Sequence, residues 1–302
     1  MAIFPTIFPQ LPKYPGPYVV GSIEVEVPLQ EPPRRFDLLD TNVETILVRF
    51  FYPAEPSYAA NTPSSSKRWA KQRPARPLWC PQPVMEYARG YADFFKQPQT
   101  PAALAISLAV YNKQIPAFEN AAPITPPHGR LPVMLFSHGL GGSRNAYSQW
   151  CGSIASHGVF VAAIEHRDGS APISIIRAGT PEQVSVPYRR ITEYNDETIQ
   201  LRTSQLAQRT YEVAKLVSLL RDINHGVKLD IPEETAEALG QFRGLLNTKK
   251  GQFIMAGHSF GAATTVASCK DIENLEANYP LKEEFRAAVM LDIWMMVTSR
   301  HH

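Results

Sequence analysis

Cysteine is scarce in this 302-residue chain: Cys80, Cys151 and Cys269 are an odd number at wide spacings. They make neither a disulfide framework nor a CxxC metal knuckle, and they fit a reducing compartment, so a cytoplasmic location is expected. An excess of one charge is also lacking. Thirty Lys and Arg against 28 Asp and Glu leave a net charge of +2, with no basic block to track a phosphate backbone, and no nucleic acid partner is expected. Long apolar runs are missing too: the longest, Pro101 to Tyr111, is well short of the roughly 18 residues of a membrane span. Any membrane contact is therefore expected to be peripheral. The opening MAIFPTIFPQLPKYPGP has no basic stretch leading into an unbroken apolar one, so no secretion signal is expected. Ala2 excludes myristoylation of this start, and Ser299-Arg300-His301-His302 is no prenylation box. With no HExxH, EF-hand loop or close His/Cys cluster, neither a metal nor a cofactor is expected.

Proline is what the chain has in excess, 27 residues concentrated in the first 130 positions. Within that loop-rich part, Tyr18 to Val27 and Glu44 to Tyr52 alternate apolar with polar residues, the pattern of half-buried antiparallel strands in a hairpin or meander. Asn61 to Pro83 has no period and reads as a surface loop. After Pro132 the pattern becomes short apolar runs between helical stretches, as in parallel strands covered on both faces. Four buried strands are predicted at Val133 to Phe136, Val159 to Ile164, Phe253 to Ala256 and Ala287 to Leu291. Helices are predicted over Ala146 to Ser156, Thr198 to Ile223 and Pro232 to Leu246. Pro101 to Phe118 carries Leu104, Ile106, Leu108, Ala109 and Tyr111; it reads as a core-packed helix, with a lipid-facing or membrane-resting surface as the alternative.

Gly257-His258-Ser259-Phe260-Gly261 lies between a predicted strand and a helix-compatible run, the context of a G-x-S-x-G nucleophile elbow. A serine forced onto a sharp turn needs small neighbours, so that its hydroxyl projects above the sheet and the next N–H faces a developing oxyanion. Ser259 is the candidate nucleophile; a structural serine in a tight turn is the alternative. Phe136-Ser137-His138-Gly139-Leu140-Gly141-Gly142 also comes directly after a strand, and its Leu140 N–H is the candidate second oxyanion donor, to pair with Phe260 N–H. Read as a dinucleotide fingerprint, the same glycines fail where Arg144 stands in place of Gly or Ala. Asp292 closes the strand ending in Leu291, where the acid of a Ser…Asp…His order belongs, although a turn or cap aspartate is an equal alternative. Glu165-His166-Arg167-Asp168 either lines the pocket rim or forms a hydrogen-bonded structural cluster. Cys151 and Cys269 read as helix core.

The strings FSHGLGGSRNAYS, SHGVFVAAIEHRDGSA, GHSFGAATTV and LDIWMM, in this order, closely resemble the platelet-activating factor acetylhydrolases of the monomeric plasma and intracellular type II kind. The likeness includes Leu11 to Tyr18 and Arg221 to Gly226, and so runs from about residue 11 to Met296. It implies an α/β-hydrolase fold: a mostly parallel central sheet with helices on both faces and antiparallel strands at the N-terminus. It also implies a calcium-independent serine esterase that removes short or oxidised sn-2 acyl groups from phospholipids. By the resemblance Ser259 is the nucleophile, Asp292 the triad acid, and Leu140 and Phe260 the oxyanion donors. A general carboxylesterase of the same fold is the alternative substrate class, and a catalytically dead relative the alternative function.

The triad histidine is the weak point. His128, His138, His157, His166, His225 and His258 all precede Ser259, which breaks the chain order, and only His301 and His302 follow Asp292. Both sit on a short tail and are poor candidates for a positioned base. After Met296 the family pattern stops and Val297-Thr298-Ser299-Arg300 stands where a proline is expected. A single domain is therefore expected, with a proline-rich part at 1–130, a catalytic core at 131–296 and an unmatched tail at 297–302. It is expected to be C-terminally incomplete, without its last strand and helix, feebly active, and with Ala287 to Leu291 exposed as an aggregation-prone edge.

Overall fold

The computed structural model describes residues 10–57, 75–126, 129–270 and 281–294. Its eleven strands are β1 (Val19–Pro28), β2 (Arg34–Phe36), β3 (Thr41–Val43), β4 (Thr45–Ala54), β5 (Phe118–Glu119), β6 (Val133–Ser137), β7 (Phe160–Glu165), β8 (Ile173–Ile176), β9 (Val184–Pro187), β10 (Phe253–His258) and β11 (Phe285–Leu291). Seven of them form one sheet in the order β11-β10-β6-β7-β4-β1-β5. The neighbours β11, β10, β6 and β7 run parallel, while β4 is antiparallel to both β7 and β1.

The apolar runs of the parallel strands divide between the two faces with the period of two that a pleated strand imposes. Val133, Leu135, Phe160, Ala162, Ile164, Phe253 and Met255 enter one core cluster, and Met134, Phe136, Val161, Ala163 and Ala256 enter the other. The first cluster is closed by α4 (Asp196–His225), α5 (Glu233–Gly240) and α6 (Phe260–Cys269), the second by α3 (Ser148–Ala155). Helix α4 starts where the Asn195 side chain accepts the Thr198 N–H at 3.0 Å, with Asp196 and Glu197 favouring the positive end of its dipole. It stops at Gly226, whose φ of +74° few other residues tolerate.

Four expectations change. Glu44 to Tyr52 is not half-buried: β4 lies between β1 and β7, so every one of its residues is covered. Of the two expectations for Ala287 to Leu291 the exposed edge is observed and the buried strand is not: among the described residues β11 is the last strand of the sheet, and Met290 is exposed. The helix predicted to reach Leu246 ends at Gly240, and Gly244 turns at φ +75° before Leu246 bridges to Leu131. The core-packed reading of Pro101 to Phe118 is overturned as well. Helix α2 (Gln99–Val110) buries only Ala103, while Leu104, Leu108 and Tyr111 are 54%, 68% and 71% exposed. Its apolar spacing faces solvent because only α1 (Val84–Phe94) packs closely beside it. Of the loop read over Asn61 to Pro83, residues 61–74 lie outside the described residues; 75–83 are irregular.

Candidate active site

Strand β10 delivers Ser259 to the carboxyl edge of the sheet, and α6 begins at the next residue. Ser259 sits at φ +53°, a left-handed conformation costly for a side chain with a Cβ, and the surrounding contacts hold it there. A Cβ on Gly257 would run into the Gly261 carbonyl, and one on Gly261 into that of Ser137. Both glycines are thus required by backbone crowding, the first within the turn and the second where α6 crosses β6. The Ser259 N–H donates to Leu291 O at 2.9 Å, and the Ser259 carbonyl accepts from Trp294 N at 3.3 Å. The segment after β11 is therefore tied to Ser259 on both sides.

Those ties bring Asp292 next to Ser259, because His258 and Leu291 are partners in the parallel β10–β11 register. Asp292 has φ +46° and is exposed, and among the described residues its carboxylate has no ion-pair or hydrogen-bond partner. On the other side, the loop after β6 packs Gly139 so closely against the elbow that a Cβ there would meet the His258 carbonyl. The N–H groups of Leu140 and Phe260 are left without an acceptor among the described residues, whereas those of Gly139, Gly141 and Gly142 are all used. Two unfilled donors beside a strained serine can hold negative charge on a carbonyl oxygen.

Glu165, His166, Arg167 and Asp168 are all buried, so of the two readings the hydrogen-bonded cluster is the one observed. Asp168 pairs with the fully buried Arg209 at 2.7 Å, and Arg209 also donates to the His138 carbonyl at 2.8 Å and lies 4.4 Å from the Phe260 ring. His138 donates through Nδ1 to Gly139 O and accepts the His166 N–H at Nε2, which fixes it as a neutral imidazole. Burial, and then the Arg209 charge, push it down to about 3. Beneath it runs a chain shaped like a second triad: Ser137 Oγ stands 2.8 Å from His166 Nε2, and His166 Nδ1 stands 2.6 Å from Glu212 Oε2. Ser137, His166 and Glu212 are sealed from solvent, so no substrate reaches them.

The sequence reading missed Arg209, Glu212 and Tyr147, which touch the site from distant parts of the chain. Helical spacing of α4 gives only its apolar stripe, and nothing local marks Arg209 as the guanidinium under His138. His301 and His302 lie outside the described residues, and no described histidine stands as a base for Ser259. Among the described residues, no cluster of three His, Cys, Asp or Glu side chains could hold a metal ion.

A mostly parallel sheet with a strained serine between strand and helix defines the α/β-hydrolases, and the fold agrees with a solved neighbour. A ferulic acid esterase from Streptomyces cinnamoneus superposes with a TM-score of 0.51 at 16% identity, over 85% of this chain and 57% of that one. Within that class, the sequence profile described as "Platelet-activating factor acetylhydrolase, isoform II" matches residues 7–302, and the chain belongs to that family. A Schizosaccharomyces pombe protein described as "Putative phospholipase A2" is 34% identical over 97% of this chain and 67% of its own length. The platelet-activating factor acetylhydrolase of Bos taurus is 29% identical over 95% of this chain and 55% of its own length. The chain thus spans two thirds of the yeast relative and just over half of the bovine one.

Proposed function

We propose that this protein hydrolyses the sn-2 ester of phospholipids carrying acetyl or other short or oxidised acyl groups, through an acyl-serine intermediate. The observation that carries the reading is Ser259 at φ +53° in the turn before α6, with the N–H groups of Leu140 and Phe260 unfilled among the described residues, in a chain of this family. In the reaction, Ser259 Oγ bonds to the ester carbonyl carbon and gives its proton to a base. The carbonyl oxygen takes the negative charge and is held by Leu140 and Phe260 N–H. Collapse breaks the bond to the glycerol oxygen, which receives the proton and leaves as the lysophospholipid, and water then releases the acid from Ser259. Asp292 is placed in this scheme as the residue that orients the base. No step uses a metal, so the reaction is calcium-independent.

Lipid-surface docking by α2 is part of the proposal. Leu104, Leu108 and Tyr111 are exposed on and just after α2, and α2 packs against α1, whose Phe94 ring lies on Gly141 of the loop after β6. Among the described residues no helix is long and apolar enough to cross a membrane, and peripheral contact is what α2 offers. Three free cysteines agree with a cytoplasmic protein.

Labelling with a fluorophosphonate tests the nucleophile. Ser259 is expected to be phosphonylated, Ser259→Ala to lose the label, and EDTA to leave the rate unchanged. Acceleration by added imidazole would identify the base as the deficient component. Label persisting in Ser259→Ala would place the nucleophile elsewhere. A short-chain phospholipid beside p-nitrophenyl esters of rising length then separates the phospholipid reading, which expects a steep preference, from a general esterase, which expects comparable rates.

A further inference from the structure

The two donors assigned to the oxyanion hole come from parts of the chain about 120 residues apart, Leu140 after β6 and Phe260 after β10. Their separation depends on how the loop after β6 is fastened to the elbow. One side chain reaches both. The Tyr147 hydroxyl oxygen accepts the Gly139 N–H at 3.3 Å and stands 2.8 Å from Nδ1 of His258. With its oxygen accepting from Gly139, the phenol has its own proton to give to Nδ1, and all three groups are satisfied when His258 carries its proton on Nε2. Burial holds the Tyr147 phenol above its ordinary range, so it remains an O–H donor. The ring is held independently of the hydroxyl, against Phe136 at 4.8 Å between centroids. A Cβ on Gly139 would press on both the Tyr147 hydroxyl and His258, so the loop residue there is shaped to this contact.

We infer that Tyr147 is a positioning residue: its hydroxyl bridges the residue before Leu140 to the residue before Ser259 and thereby sets the spacing of the two oxyanion donors. The inference rests on the proposed assignment of Ser259, Leu140 and Phe260. Its consequence falls on the transition state. Donor placement matters most when the oxyanion has formed, and a small misplacement costs rate rather than ground-state binding.

The test is the limiting rate and half-saturation concentration of Ser259 phosphonylation, with kcat and KM for p-nitrophenyl acetate measured alongside. Tyr147→Phe removes the bridge and keeps the ring. It is expected to lower the limiting rates by about tenfold, less than the 10²–10³ for losing an oxyanion donor outright, with half-saturation and KM within about twofold. His258→Leu should match it, the double variant should be no slower than either single one, and His258→Asn, which keeps an acceptor at the Nδ1 position, should recover most of the rate. Unchanged limiting rates in Tyr147→Phe, or losses that multiply in the double variant, would overturn the inference. So would an effect confined to half-saturation. Should Tyr147→Phe fail to fold, the contrast between His258→Leu and His258→Asn decides the matter. Absence of label on Ser259 in the parent protein, with added imidazole present as a base, would remove the nucleophile assignment itself, and this inference with it.

Discussion

Glu212 shows how far burial can move a single carboxyl group. Its Oε1 accepts from Gln208 Nε2 at 2.9 Å and from Arg167 N–H at 3.2 Å, so Oε2 is left to carry a proton toward His166 Nδ1. Burial, reinforced by the Asp168 charge, pushes the group up to about 8, while burial and Arg209 hold His166 well below its ordinary value. Both directions describe a neutral pair. The folded protein keeps a proton that the unfolded chain releases above about pH 4.5, so what Glu212 contributes to stability falls as pH rises from there to about 8. In Glu212→Gln the amide reproduces the same donor and acceptors without titrating. Urea unfolding of parent and variant at several pH values is expected to show similar stabilities near pH 5 and a parent that loses ground to the variant as pH rises to about 8, on top of the slope that the depressed His138 and His166 give to both. A difference between parent and Glu212→Gln that stays constant to pH 8 would mean that Glu212 is charged in the fold.

Among the elements, α2 is the one whose sequence and surroundings disagree. Its apolar residues suit a core, yet Leu104 and Leu108 lie in solvent. Burying a leucine side chain gains about 1.5–3 kcal/mol, so two leucines entering a lipid interface contribute enough for a more than tenfold change in partitioning. Leu104→Asp with Leu108→Asp is expected to reduce sedimentation with phosphatidylcholine vesicles at least tenfold. It should also lower the ratio of the rate on vesicle substrate to that on a soluble ester. Equal partitioning of parent and variant would mean that α2 does not meet the lipid. Strand β11 is a second exposed element: among the described residues no strand pairs with its outer edge, and Met290 is turned to solvent.

For the whole molecule, the balance of buried charge matters more than its net value of +2. Burial works against ionised Glu24 and Asp168, but Arg144 with Arg49 in the first case and Arg209 in the second hold each carboxyl down to about 2. These pairs pin the first strand to the loop after β6, and α4 to the loop after β7. A carboxylate held down in the fold contributes stability above its unfolded value, and that contribution is lost as pH falls through the folded one. Stability is expected to drop steeply between about pH 4 and pH 2. Arg209→Met should be destabilised by about 3–5 kcal/mol at neutral pH, because it strands Asp168 without its partner. Guanidinium unfolding across that range measures both; a loss under 1 kcal/mol in Arg209→Met would show that the pair is not what joins α4 to the sheet.

Local sequence determined the parallel strands, the long α4 and the elbow, because each depends on neighbours within a few positions: side-chain period, a capping Asn195, and glycines flanking Ser259. It also brought Asp292 into view, since a strand end and chain order suffice to suggest it. Burial was decided only by tertiary structure. The alternating residues of β4 lie fully covered between two strands, the apolar run of β11 is open at the edge of the described sheet, and the apolar run of α2 meets solvent because only α1 packs closely beside it. The polar supports of the site were equally out of reach of the sequence. Tyr147 meets His258 across 111 positions and Arg209 meets His138 across 71, and only the packing of the loop after β6 against the elbow and α4 makes those residues neighbours.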